Sequence, residues 1–227
     1  MKKKPKISII ILNHNRCEYL DRSIRSCISQ QIIDKDIEIL IVDDGSSDNS
    51  ISIMNYFKDN YLSDIKIYKL KKNMGPGYCS NLAVKKSKGD YIIRVDSDDY
   101  ISKIAIEIMS NILIHNDNLA YVYGDLIRVD DVGRLINLVK LDNKKKVYDH
   151  GAGIMFKKSV VLNVGNYNKS LKIAEDYALI KKIDKKNFKS FYIPVPFYRY
   201  YIHQKNISHK FDRKKIIRKI NRGEKWN

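Results

Sequence analysis

The sequence predicts an α/β fold: a mostly parallel central sheet with flanking helices, and a smaller antiparallel element in the second half. Three features carry that expectation. Short apolar runs alternate with helix-period stretches over residues 7–114, two of the runs end in clusters of aspartate, and from residue 120 onward paired strand-like runs take over.

The elements follow in order. ISIIIL (7–12) is a continuous apolar run, as befits a strand covered on both faces. Asn15 is placed to cap a helix in which Leu20, Ile24, Cys27 and Ile28 recur at helical spacing. IEILIVDD (37–44) reads as a second buried strand, and DGSSD supplies turn and cap residues before Ile51, Met54 and Phe57. KIYKL (66–70) is a short third strand. Pro76 opens a helix that runs to about Lys88. YIIRV (91–95) is a fourth strand that stops at Asp96-Ser97-Asp98-Asp99, and a helix with Ile104, Ile108 and Ile112 on one face follows. Such a βαβαβαβ series calls for parallel pairing. Farther on, residues 120–129 and 134–141 flank a polar turn and read as a β-hairpin. GIMF (153–156) is strand-like, and Glu175 to about Lys186 is helical. Residues 191–203 are extended, because Pro194 and Pro196 forbid a helix. The segment 211–227 is a basic, helix-like tail with Ile216, Ile217 and Ile220.

Composition narrows the setting. The chain has 227 residues, 44% of them hydrophobic and 16 of them tyrosine, enough for a packed core. No apolar run approaches the ~18–20 residues that cross a bilayer. The start imitates a signal peptide, but its apolar run stops at Leu12 against Asn13-His14-Asn15-Arg16 and no small-residue cleavage site follows, so it reads as a buried strand. Cys17, Cys27 and Cys79 cannot all pair, and none sits in a CxxC spacing; a reducing cytoplasm is the simplest compartment. The net charge of +17 fits nucleic acid, an anionic membrane face, phosphorylated substrates, or a plain bias toward lysine.

The chemistry lies in the carboxylates. Open α/β sheets bind ligands beyond the carboxyl ends of their strands, and two such ends carry Asp43-Asp44 and Asp96-Ser97-Asp98-Asp99. Either cluster alone is explained by a solvated turn. Two clusters at corresponding strand ends repel one another unless a cation joins them, and hard oxygen ligands suit Mg²⁺ or Mn²⁺ with a diphosphate. A nicotinamide site is excluded by the lack of glycine between Leu12 and Arg16. A phosphatase with an Asp-x-Asp nucleophile usually carries it on the first strand, whereas here the motif follows the fourth. A nucleic-acid-binding module accounts for the charge and the tyrosines but leaves the strand-end carboxylates unexplained.

The motifs in these stretches, ISIIILNHNR, IVDDGSSDNS, NMGPGYCSNLAVKKSKGDYIIRVDSDDYIS, GNYNKSLKIAEDYALIKK and YRYYIHQKNIS, occur in an order that resembles the family 2 glycosyltransferases from about Ile7 to Ser208. Those are inverting enzymes with the GT-A, Rossmann-like fold. The resemblance implies a nucleoside diphosphate sugar donor, UDP by preference since a carboxylate at Asp44 suits a uracil imide N–H, and a saccharide or lipid-linked acceptor. It places Asn15, Asp44, Asn81 and Asp96 at the nucleotide sugar, Asp98 and His203 at Mn²⁺ or Mg²⁺, and Asp176 as the catalytic base. Asp43, Asp99, Glu175 and Arg199 are secondary candidates. It further implies one transferase domain over residues 1–210, with a nucleotide-binding half to about residue 100, an acceptor-side half, and the basic tail 211–227 appended. Bacterial surface-polysaccharide assembly, in the cytoplasm or peripheral at the inner membrane face, is the implied setting, with the tail and Trp226 as candidate contacts to anionic lipid and no nucleic acid as partner. Two departures stand out: Asn15 alone survives of the usual opening Pro-Thr-Tyr-Asn, and Ser80 stands where arginine is usual. Ser80 prompts a second reading, a protein that binds nucleotide sugars without turnover. His14, His115 and His209 read as loop histidines, and His150, beside Gly151, stays open between a loop position and a closer approach to a ligand.

Overall fold

The computed structural model of the chain describes residues 6–61, 63–149, 151–204, 206 and 213–222, without the side chains of Lys144, Lys145, Asp149 and Lys214. His150, His209 and Trp226 lie outside the described residues.

Strand β1 (Lys6–Asn13) is the spine of the first half. It pairs in parallel with β2 (Asp36–Asp43) on one side and β4 (Tyr91–Asp96) on the other, and β3 (Asp64–Lys69) adds to β2. Its apolar run is unbroken because both faces are covered: Ile7, Ile9 and Ile11 are buried on one face with Ile39 and Ile41 beside them, and Ile10 with Leu40 on the other. Burial of this kind contributes about 1.5–3 kcal/mol per side chain. Helices α1 (Cys17–Ile28), α2 (Ser50–Asn60) and α3 (Pro76–Lys86) make the crossovers, and α1 buries Leu20, Ile24 and Cys27 as its spacing predicts. The register places Asn13 opposite Asp43 and Leu12 opposite Asp96, so both acidic strand ends emerge beside the end of β1.

One local expectation is corrected. Asn15 does not cap α1. It adopts φ 52°, a left-handed conformation that asparagine tolerates, and its Oδ1 accepts from the Ser47 N–H at 2.8 Å. The first helical amide, Cys17 N–H, donates instead to Asp48 Oδ2 at 2.9 Å.

After β5 (Tyr100–Ile101) and α4 (Ala105–Ile114), the chain forms the long strand β6 (Leu119–Val129), and β7 (Leu135–Val139) pairs back on it as the expected hairpin. Then come α5 (Lys144–Asp149), β8 (Met155–Lys157), α6 (Lys158–Asn163), α7 (Glu175–Lys185), β9 (Lys189–Tyr201) and α8 (Arg213–Arg222). The sheet runs β3-β2-β1-β4-β8-β6-β9-β5, with β7 on the flank of β6. Antiparallel β8 stitches the parallel half to β6. The β6–β9 register slips where Gly124 faces Ile193 but Asp125 faces Pro196, because prolines cannot donate to the ladder. Among the described residues no helix is long and apolar enough to cross a membrane.

Candidate active site

Three segments meet over the carboxyl ends of β1, β2 and β4, around a cavity of about 1080 Å³. The first is the turn after β2. Gly45 has φ +69°, and a Cβ there would lie 2.7 Å from the Lys72 carbonyl carbon, so only glycine lets the two loops approach this closely. That approach brings the Asp44 carboxylate to the backbone amides of Met74 (2.6 Å) and Gly75 (2.8 Å). Asp44 is buried at one end of the cavity.

The second segment is the end of β4, where three carboxylates have three different environments. Asp98 Oδ2 lies 3.0 Å from His203 Nε2 and 3.2 Å from Arg16 Nε. Burial works to raise Asp98, but His203 and Arg16 outweigh it and hold the group below the ordinary range. Asp99 accepts from the Tyr198 hydroxyl (2.8 Å) and the Tyr201 amide (2.9 Å). Its burial, with Asp98 and Asp96 close by, pushes it well above the usual value. Burial also raises Asp96, against the opposing pull of Arg94, whose Nε stands 3.1 Å from Asp96 Oδ1.

The third segment is the start of α7, launched from Ala174 at φ 59°. Glu175 meets Arg94 Nη1 at 2.5 Å, so one buried guanidinium ties Asp96 to the helix start. Asp176 receives Arg213 Nη2 from α8, 3.2 Å from each carboxylate oxygen. Burial again acts upward on Asp176, and Arg213 and Arg94 overcome it, leaving the group below the ordinary range. Gly151 makes room for this carboxylate: a Cβ at residue 151 would fall 1.9 Å from Asp176 Cβ.

The donor set suits a hard divalent cation. Asp98 offers a carboxylate oxygen and His203 an imidazole nitrogen within reach of one ion. Among the described residues no three His, Cys, Asp or Glu side chains form a complete cage. Small cations that use one or two protein ligands complete their shell with water and substrate phosphate oxygens.

The sequence matches the pattern of glycosyl transferase family 2 over residues 8–166. The chain belongs to that family. A relative described as an uncharacterized glycosyltransferase of Haemophilus influenzae is 34% identical over 77% of this chain and 70% of its own. A poly(ribitol-phosphate) beta-glucosyltransferase of Bacillus spizizenii is 40% identical over 44% of this chain but only 16% of its own, so this chain spans a small part of that longer enzyme. Among solved structures, S. aureus TarS residues 1–349 in complex with UDP-GlcNAc aligns at TM-score 0.78 and 22% identity, over 95% of this chain and 65% of that one. A mannosyltransferase from Pyrobaculum calidifontis, solved with GDP-Man and Mn²⁺, aligns at TM-score 0.70 and 13% identity, over 90% and 59%. These likenesses make the fold of this family 2 glycosyltransferase the GT-A type.

The predicted residues divide into two groups. Asp44, Asp96, Asp98, Asp99, Glu175 and Asp176 all line the cavity, and His203 is joined to it through Asp98. The other four stand aside. Asp43 is buried in the turn, accepting from Asn13 Nδ2 and Ser46 N–H. Asn15 braces the Ser46-Ser47 loop. Asn81 Nδ2 donates to Tyr167 O at 2.9 Å, and Asn166 Nδ2 donates back to Asn81 O. Arg199 donates to Pro196 O and, between Tyr198 and Tyr200, points to the opposite face of β9. Ser80 is buried, its hydroxyl without a hydrogen-bond partner among the described residues.

Several residues of the site escaped the sequence reading. His14 lines the cavity rather than a free loop, with Nδ1 2.8 Å from Asp44 O. Arg94 was legible, since two residues before Asp96 on a strand means the same face. Arg16 and Arg213 carry no local signal, because their carboxylate partners are 82 and 37 residues away in the chain.

Proposed function

We propose that this chain transfers a hexosyl or N-acetylhexosaminyl group from a nucleoside diphosphate, UDP by preference, to a hydroxyl of a saccharide or lipid-linked acceptor. The transfer inverts the anomeric centre and serves bacterial surface-polysaccharide synthesis at the cytoplasmic face of the membrane. The single observation that carries this reading is that Asp44, Asp98 and Asp176, from three separate segments, line one cavity of nucleotide-sugar size.

In this reading the nucleoside lies toward Asp44 and its diphosphate toward Asp96 and Asp98. Mn²⁺ or Mg²⁺ held by Asp98 and His203 supplies neutralisation of the charge on the departing diphosphate. The acceptor oxygen bonds to the anomeric carbon as the bond from that carbon to the phosphate oxygen breaks. The diphosphate leaves with the electron pair, and the acceptor's proton passes to Asp176. Arg213 and Arg94 keep Asp176 ionised, the form a base requires, at the cost of lowering its basicity. The basic helix α8, which lends Arg213 and Ile217 to the cavity and carries further lysines and arginines, is suited to an anionic lipid surface and would bring the cavity to a membrane-held acceptor.

The test is a panel of nucleoside diphosphate sugars in thermal unfolding, with and without Mn²⁺. A UDP-sugar at about a hundredfold over its Kd stabilises by about 2.7 kcal/mol. That stabilisation is expected only with metal, is lost in Asp98→Ala, and is kept in Asp176→Asn, which no longer transfers. A panel that shifts nothing, or an Asp98→Ala protein that responds like wild type, overturns the proposal.

A further inference from the structure

Four arginines line the cavity: Arg16, Arg94, Arg128 and Arg213. Three are committed to carboxylates. Arg16 meets Asp98, Arg94 meets Asp96 and Glu175, and Arg213 meets Asp176. Arg128 faces no carboxylate among the described residues, and its Nε, cut off from water, has no hydrogen-bond partner there. Among the described residues that nitrogen has given up water without gaining an acceptor, and unlike the other three guanidiniums of the cavity this half-buried one has no carboxylate beside it.

Its position indicates which ligand would answer it. On β6, Leu126 stands opposite Tyr198 of β9, and Arg128 opposite Tyr200. The Tyr198 hydroxyl reaches Asp99 and the Asp96 amide. Arg128 is therefore one side-chain step, ~7 Å along the strand, beyond the carboxylate cluster and on the same face. Across the sheet, β1, β4 and β8 separate β6 from β2, where Asp44 sits, a span of ~19 Å at ordinary strand spacing. A nucleoside diphosphate reaching from Asp44 to Asp98 covers only the part from β2 to β4, so Arg128 lies past the leaving group, on the side from which an acceptor enters. Tyr200, Ile202 and Ile217 line the wall beside it and offer apolar surface but no charge.

We infer that Arg128 is a specificity residue for the acceptor and that the acceptor carries an oxyanion, a phosphate diester or a carboxylate, near the hydroxyl that is glycosylated. The guanidinium fork matches either group in a bidentate pair, and the uncommitted Nε is one of its donors. This inference rests on the transferase reading for the word acceptor, but the anion site itself is open to a binding measurement that needs no turnover.

The experiment titrates wild type, Arg128→Gln, Arg128→Lys and Lys185→Gln with three probes in the presence of UDP and Mn²⁺: a glycerol-phosphate oligomer, a uronic-acid disaccharide and a neutral disaccharide. Lys185 is an exposed residue remote from the cavity lining and controls for bulk charge. Wild type is expected to bind one of the anionic probes at least tenfold better than the neutral one. Arg128→Gln loses that preference, by about 10- to 100-fold as one charge-assisted pair warrants, Arg128→Lys recovers part of it, and Lys185→Gln keeps it. The oligomer and the uronate separate the two sources of the anion. Equal losses in Arg128→Gln and Lys185→Gln, undiminished binding in Arg128→Gln, or no anionic preference in wild type each overturns the inference. Release of UDP from a UDP-sugar by the wild type without any acceptor, and its loss in Asp98→Ala, reports on the transferase reading separately.

Discussion

Substituting Gly151 by alanine tests the placement of Asp176 without altering any functional group. The new methyl would lie 1.9 Å from Asp176 Cβ and 2.0 Å from its Oδ2. Ordinary contact begins near 3.4 Å, so either the loop or the carboxylate must retreat by about 1.5 Å. The neighbours on the other side resist: Asp176 is pinned by Arg213, its own helix starts from a left-handed Ala174, and Glu175 is tied to Arg94. Overpacking of this kind costs about 1–3 kcal/mol of stability, and a misplacement near 1 Å costs about a hundredfold in rate. Gly151→Ala should thus unfold a few degrees earlier and release UDP from a UDP-sugar about a hundredfold more slowly. Its affinity for UDP with Mn²⁺ should stay at the wild-type level, because Asp44 and Asp98 are positioned by other strands. Stopped-assay kinetics, calorimetry with UDP and a melting curve on one preparation suffice. A variant that melts early but turns over within threefold of wild type would show that the chemistry does not depend on where Asp176 stands.

Two further predictions concern Glu38 and helix α8. Glu38 is fully buried, and although burial alone would raise it, Lys66, Ser8 and the Lys88 amide outweigh that and hold it below the ordinary glutamate value. Its stabilisation is therefore complete above the unfolded value near ~4.3 and is lost as pH falls through the lower folded value; Glu38→Gln should melt lower at neutral pH and show a shallower decline on acidification, and a decline as steep as that of wild type would contradict the assignment. For α8, flotation with anionic vesicles should recover the full chain at low salt but not a chain ending at residue 209, with recovery falling as salt rises; equal recovery of both removes the lipid contact.

Much of the architecture was readable because the first half obeys simple periods. Unbroken apolar runs mark strands covered on both faces, helix-spaced apolar residues mark the crossovers, and glycine at residue 45 marks a turn that no other residue enters cheaply. The second half was readable as extended or helical but not as a topology. No pattern in residues 153–157 announces that β8 will join two sheets of opposite character, and the six-residue helices α5 and α6 are too short for a period to declare itself. At the site, Asp43-Asp44 and Asp96 to Asp99 were legible from their strand ends, Glu175 and Asp176 only through the family resemblance, and the alternation of β9 sets Arg199 on the face away from Tyr198 and Tyr200.

The cations were the harder part, and the reason is physical. A chain with a net charge of +17 offers many candidates, and nothing local distinguishes an arginine that will be buried from one that will be solvated. Arg94 is the exception, since its position two residues before Asp96 on one strand puts both on the same face. Arg16 comes from the start of α1, Arg213 from α8, and each finds its carboxylate only after the sheet has closed. Desolvation explains why the folded site needs them. Asp96, Asp98, Asp99 and the Glu175-Asp176 pair, gathered in one cavity, repel each other more strongly as water leaves; His203 and Arg16 outweigh burial at Asp98, and Arg213 outweighs it at Asp176, whereas Arg94, shared between Asp96 and Glu175, only opposes it. Asp99, which has hydroxyl and amide donors but no guanidinium, shows the alternative, rising well above the ordinary range. On that logic part of the charge surplus of this transferase neutralises acids already in the cavity, while Arg128 lines the same cavity with no carboxylate facing it among the described residues.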